Sequence, residues 1–134
     1  MPLTAINYCP CGSGTASSSC CSALIFHGQA AKTALELMRS RYSAHVLLAV
    51  DYLWNTWSES TRHRTSPEAI REWAASCDWL GLDILDHQAG GEADDEGTVT
   101  FSASYRLGEQ AHQHLEKSLF RRENGLWRYV DHCA

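Results

Sequence analysis

Four of the six cysteines, Cys9, Cys11, Cys20 and Cys21, fall within thirteen residues of one another. Thiolates at that density are soft metal ligands. The segment Cys9-Pro10-Cys11-Gly12-Ser13-Gly14 has the composition of a tight knuckle. Pro10 fixes one backbone angle, and Gly12 and Gly14 permit the positive φ that brings two thiolates onto one centre. After eight intervening residues the chain returns with Cys20-Cys21. Four thiolates converging in this way can close a tetrahedral site, and Zn²⁺ is the expected ion because it accepts S₄ ligation without redox chemistry. With all four positions filled by protein, such a site is structural. Two alternatives stay open: a pair of disulfides, if the chain is exported, and an iron–sulfur cluster, although the spacing departs from the common ferredoxin patterns.

Acid–base chemistry has a longer and weaker list of candidates: Asp51, Asp83, Asp86, His87, His112, His114, Asp131 and His132. On a strand, Asp83 and His87 share one face and Asp86 takes the other, and Asp83 opposes Leu82 and Ile84, which turns it to solvent. His112 and His114 also share a face and could hold a metal, but no third ligand is placed by the local sequence. No Ser-His-Asp or Cys-His arrangement is legible, so catalytic residues are unknown. Cys77 and Cys133 read as buried or idle thiols. Trp54, Trp57, Trp73, Trp79 and Trp127 could line a pocket for a flat ligand or simply fill a core. Arg39 and Arg41 on one helix point about 160° apart. One of them can therefore face inward, toward an anionic ligand or toward an ion pair with Glu116 or Asp131.

The elements that must position these groups follow from periodicity. From Ala34 to Trp57 the apolar residues Leu35, Met38, Tyr42, Val46, Val50, Leu53, Trp54 and Trp57 recur at helical spacing, and a break near Ala49-Val50-Asp51 divides the run into two helices with Asp51 available as a cap. Ser66 as N-cap and Pro67 at the first helical position open another helix that ends near Ser76. The period then changes to two. Leu80, Leu82 and Ile84 alternate in one run, and Val99, Phe101, Ala103 and Tyr105 in a second, with the acidic, glycine-rich stretch from Gly90 to Gly97 as the turn between them. Two further runs, His114 to Arg121 and Leu126 to Asp131, flank Glu123-Asn124-Gly125, a strong hairpin signal. Helices followed by an antiparallel meander make an α+β arrangement.

Cys9-Pro-Cys-Gly-Ser-Gly with Cys20-Cys21 resembles the SEC-C motif, the zinc knuckle at the C-terminus of the translocase SecA. Leu37 to Tyr42, Asp51-Tyr52-Leu53 with Thr56-Trp57, Trp79-Leu80-Gly81-Leu82, Phe120, and Glu123 to Asp131 extend the resemblance to the YchJ family over nearly the whole chain. The resemblance implies a zinc knuckle in residues 1–27 and a nuclear-transport-factor-2-like (NTF2-like, cystatin-like) domain in residues 28–134, its helices lying on a curved sheet around a cone-shaped cavity. It carries no reaction with it. It does place Asp131 in a family-like Trp-x-Tyr-x-Asp segment, making it the first carboxylate to test. The pocket set expected on these grounds is Arg39, Tyr42, Trp54, Trp57, Trp73, Trp127 and Asp131. SecA-type knuckles carry lysines between the second and third ligands, whereas Thr15 to Ser19 is uncharged here, which weakens any transfer of SecA's partners. Some YchJ relatives end in a second knuckle, while this sequence ends at His132-Cys133-Ala134, so one metal centre is expected.

The whole composition bounds the function. A chain of 134 residues holds one core plus a small appendage. Its 16 acidic against 11 Lys and Arg residues give a charge of -5, which disfavours nucleic acid, ribosome or anionic lipid as a partner held by bulk charge. Small basic patches remain at Arg62-His63-Arg64 and Arg121-Arg122. Met1 to Tyr8 lacks the pattern of a signal peptide, and the longest apolar stretch, around Val46 to Val50, is too short to span a bilayer, so a cytoplasmic protein without membrane insertion is expected. The leading functional expectation is a protein-interaction or adaptor module built on a structural zinc knuckle, its partner unidentified. Small-molecule binding or enzymatic activity in the cavity is the second, and ribosome or nucleic-acid binding the third.

Overall fold

The computed structural model describes residues 8–133. The signal-peptide reading of the N-terminus therefore lies, but for Tyr8, outside the described residues. Four α-helices, α1 (Cys21–His27), α2 (Ala34–Val46), α3 (Val50–Asn55) and α4 (Pro67–Ser76), precede four strands, β1 (Asp78–Ala89), β2 (Glu96–Leu107), β3 (Gln110–Glu123) and β4 (Leu126–His132). The strands form one antiparallel sheet in the order β1-β2-β3-β4.

Local chemistry explains most of the boundaries. The Thr33 hydroxyl accepts the Glu36 N–H at 3.1 Å to open α2, and the Ser66 hydroxyl does the same for Ala69 ahead of Pro67 in α4. Asp51 is not the expected cap; Ala49 occupies that position without a side-chain bond, and Asp51 sits exposed in the first turn of α3. Asn124 and Gly125 both adopt positive φ, 54° and 80°, the geometry of a two-residue hairpin whose twist matches the strands. Two features departed from the periodicity. Helix α1 begins at the last knuckle cysteine, Cys21, with Cys20 at its N-cap position, and β3 begins at Gln110 rather than His114, after a turn at Gly108 (φ 64°).

The sheet is bent by three irregularities. Register shifts leave Leu80 and Leu85 of β1 and Val130 of β4 without partners. Bulges increase twist and curl a sheet. The first of them also corrects the face assignment: Leu80 is the extra residue and 52% exposed, and Trp79 takes the inward position expected of it. Helix α2 lies on the concave face, packing Leu37, Met38 and Tyr42 against Val99, Phe101, Ala103, Phe120 and Trp127. A second cluster, Ala44, Val50, Leu53 and Ile70, joins the helices to one another. Arg122 lies over the Trp127 ring and donates to the carbonyls of Asp94 and Glu92 at 2.7 and 2.8 Å, tying the β1–β2 connection to the sheet. No helix among the described residues is long and apolar enough to cross a membrane.

Candidate functional site

The knuckle is a short ribbon closed by Cys9 N–H donating to the Thr15 carbonyl at 2.9 Å and by a bridge between Tyr8 and Ala16. Gly12 and Gly14 turn it with φ of 81° and 80°. Its two cysteines then face Cys20 and Cys21 at the start of α1, and the four Sγ atoms lie within 4.8 Å of one another. The Cys11–Cys20 and Cys20–Cys21 Sγ separations are 3.7 and 3.9 Å. A metal–thiolate bond of about 2.3 Å gives a tetrahedral edge of about 3.8 Å, so the donor set fits an ion at its centre. A disulfide would need about 2.05 Å, and all six cysteines are free.

The electrostatics agree with the geometry. The thiol of Cys21 bonded to Cys11 holds Cys11 well below the usual thiol range, and the same contact together with burial pushes Cys21 up. Burial also raises Cys20. Four thiolates this close cannot all ionise unless a cation sits among them. The knuckle is not a free appendage. Arg39 Nη1 donates to the Cys11 carbonyl at 2.9 Å, and Cys9 Sγ lies 3.4 Å from Ser43 Oγ. Arg39 and Ser43 are one turn apart on α2, so the cysteine knuckle grips one face of that helix.

The opposite face of α2 lines a cavity of about 330 Å³. Met38, Arg41, Tyr42 and His45 meet Trp57, Trp73 and Trp79 on one side and Phe101, Glu116 and Tyr129 on the other. Arg41 is 5% exposed, its guanidinium 5.2 Å from the Trp57 ring centre and 4.8 Å from that of Tyr129. Its Nη1 donates to the Leu53 carbonyl at 2.9 Å and to Thr56 Oγ1 at 2.7 Å. Burial pulls its pKa down to about 10, which leaves it charged at neutral pH. Across the cavity Glu116 accepts from Ser118 Oγ at 2.6 Å and from the Tyr129 hydroxyl at 3.0 Å, and His114 Nε2 lies 2.9 Å from its other oxygen. Those bonds outweigh burial and hold the Glu116 carboxyl below the usual range, while Glu116 raises His114. Burial, then the Arg41 charge, brings His45 down to about 4, so its ring is neutral and Nδ1–H donates to the Arg41 carbonyl at 2.9 Å.

Of the expected pocket residues, Tyr42, Trp57 and Trp73 line the cavity, as does Trp79. Trp57 is carried there by the segment that pairs with β4 through the Tyr129 N–H donating to Thr56 O at 2.8 Å and the Ser58 N–H donating to Tyr129 O at 2.7 Å. Four residues go elsewhere. Arg39 holds the knuckle, Trp54 packs beneath Arg62, Trp127 fills the core with its indole N–H donated to the Lys32 carbonyl, and Asp131 pairs with Arg64 and His132 at the surface. Neither Glu116 nor Asp131 forms an ion pair with Arg39 or Arg41. Among the other acid–base candidates, Asp83, Asp86 and His87 are exposed, and His112 stacks on Tyr105. Arg41, His45, Glu116 and Tyr129 were absent from the expected set. The i, i+3, i+4, i+7 spacing of Met38, Arg41, Tyr42 and His45 was the available signal.

A protein-family model described as YchJ, middle NTF2-like domain, matches residues 33–132. The chain belongs to the YchJ family. Two relatives align with it over nearly its full span. A UPF0225 protein of Geobacter sulfurreducens is 41% identical over 125 residues, covering 93% of this chain and 78% of that protein. A UPF0225 protein of Chromobacterium violaceum is 44% identical over 124 residues, covering 91% and 89% respectively. In three dimensions this YchJ-family chain is similar to the solution structure of a SEC-C motif containing protein from Rhodopseudomonas palustris, with a TM-score of 0.85 and 34% identity over 94% of this chain and 97% of that one. The crystal structure of a SEC-C motif containing protein from Psychrobacter arcticus aligns with a TM-score of 0.76 and 27% identity over 92% of this chain and 80% of that one. The NTF2-like α+β fold with an N-terminal cysteine cluster is thus common ground for sequence and structure.

Proposed function

We propose that this YchJ-family protein binds a small organic molecule in its NTF2-like cavity, and that a Zn²⁺ held by Cys9, Cys11, Cys20 and Cys21 staples the helix that forms the cavity wall. One observation carries the reading: the space under α2 is not filled by apolar side chains but remains open at about 330 Å³, with Arg41, His45 and Glu116 facing it. That volume lies at the lower end of the ~300–1,000 Å³ typical of ligand sites. A domain selected only for stability would close such a void, because empty apolar lining and buried charge both cost free energy. When bound, zinc would supply structural cross-linking rather than a reactive position, since four protein thiolates leave no open site.

The test uses anilinonaphthalene sulfonate as an aromatic probe of the whole zinc-loaded chain. Binding of one probe per chain with quenching of tryptophan emission is expected. Ala69→Trp, a substitution at an exposed cavity-lining position, should abolish it with the fold retained. Unchanged binding in that variant would show that the probe sits elsewhere. Metal analysis should return one zinc per chain.

A second reading, capture of a protein partner by the knuckle in an adaptor role, is favoured by Tyr8 and Phe26, 64% and 59% exposed on segments that carry the cysteines. A groove of about 210 Å³ beside Cys20 and Cys21, bordered by Lys32, Glu36 and Arg39, adds polar contacts there. Under that reading Tyr8→Ala with Phe26→Ala would lose the partner while probe binding in the cavity persists. Nucleic-acid binding is disfavoured by the acidic balance, and no salt-dependent RNA affinity is expected.

A further inference from the structure

The polar groups of the cavity wall are unequally satisfied. Glu116 has partners on both oxygens, from His114, Ser118 and Tyr129. His45 Nδ1 is occupied by the Arg41 carbonyl. Arg41 is different. A guanidinium carries five N–H groups, and among the described residues only Nη1 finds protein acceptors, which leaves the N–H groups of Nε and Nη2 over. The Trp57 indole N–H, on the ring beside that guanidinium, has no acceptor among the described residues, but it is enclosed and out of a ligand's reach. The charge is as lopsided as the hydrogen bonding. Arg41 is 5% exposed, yet no carboxylate among the described residues comes within 4.0 Å of it. Buried cations are ordinarily paired, since an unpaired one carries its full desolvation penalty.

Resting on the cavity-binding reading, we infer that the ligand is a planar aromatic carboxylate whose anionic end is received by the free N–H groups of Arg41. The two aromatic faces against Arg41 hold its plane fixed, and a fixed guanidinium fork matches the two oxygens of a carboxylate. Beyond that end the walls are the rings of Tyr42, Trp73, Trp79 and Phe101, which suit one or two fused rings. A cation or a ligand rich in donors would find Glu116 already engaged and would leave Arg41 unpaired.

The pair 2-naphthoate and 2-naphthamide separates charge from shape. In the zinc-loaded protein, calorimetric titration should show 2-naphthoate binding at least tenfold tighter than the amide. Arg41→Met, which keeps the stem volume and removes the charge, should bind both alike. An independent readout needs no variant: the Arg41 Nε–H resonance should move downfield with 2-naphthoate and not with 2-naphthamide. Equal affinities in the wild-type protein, or a preference that survives in Arg41→Met, would overturn the carboxylate assignment and leave the cavity reading standing. Binding of neither molecule, with anilinonaphthalene sulfonate also excluded, would overturn both.

Discussion

Cys20 is the least enclosed of the four clustered thiols, and Ser13 Oγ lies 3.3 Å from its sulfur. A hydroxyl is a poor soft ligand and a tetrahedral site needs all four thiolates, so Cys20→Ser is expected to lose most bound zinc. Metal analysis of the purified variant checks this, and one retained zinc per chain would refute the four-cysteine site. Asp131 leads to the opposite expectation. Its partner Arg64 is solvent-exposed, and exposed pairs contribute about 0–1 kcal/mol, so Asp131→Asn should cost no more than that in urea unfolding and leave probe binding unchanged. A carboxylate in a motif-like segment drew attention in the sequence, yet the edge of β4 points it outward. Arg41 shows the reverse. One inward arginine could be foreseen from helix geometry, but which of Arg39 and Arg41 it would be depended on where the knuckle docks.

Helix α4 and the β3–β4 hairpin were legible because their signals are local: a Ser-Pro start, and Asn-Gly at two positive-φ positions. The bulges of β1 were not, because an extra residue opposite a partner strand leaves no mark in one strand's own alternation. Close backbone approach was equally hidden. A Cβ added at Gly97 would sit 2.5 Å from the Gly90 nitrogen and closer still to its Cα, where the chain doubles back beneath α2. Gly97→Ala is therefore expected to destabilise the fold by about 2–3 kcal/mol, since only backbone movement can relieve the clash. Gly81→Ala, with open space around the new Cβ, should change stability by no more than about 0.5 kcal/mol. Urea unfolding of the two variants side by side measures the contrast.

At the scale of the molecule, α2 couples the cysteine cluster to the cavity, with Arg39 and Ser43 on one side and Arg41 and His45 on the other. Chelation should therefore lower the thermal midpoint and also weaken probe binding in the cavity, measurable by calorimetry and tryptophan emission on the same sample. Stability should also depend on pH through His45. The unfolded histidine takes up a proton near 6.5 and the folded one only near 4, so the unfolded state binds more protons between those values. The contribution of neutral His45 is complete above about pH 6.5 and is lost as pH falls toward 4, a displacement worth roughly 3 kcal/mol. Glu116, held low, adds to the loss as pH falls through its folded value. His114, held high, contributes below its unfolded value and loses that contribution as pH rises through its folded one. Unfolding curves of the wild type and His45→Gln from pH 7.5 to 4 should diverge, with the variant flatter; equal slopes would remove His45 as the cause.

The sequence by itself determined the cysteine knuckle, the order of helices before strands and the family, because ligand spacing, caps, hairpin residues and hydrophobic period act over a few neighbouring residues. Only the tertiary structure decided that the tryptophans divide between cavity and core, that Arg41 rather than Arg39 enters the interior, and that Glu116 and Tyr129 face it across the sheet. Those outcomes depend on which side of α2 the knuckle grips and on where the bulges bend the strands. Both are contacts between segments far apart in the chain, and no local pattern encodes them.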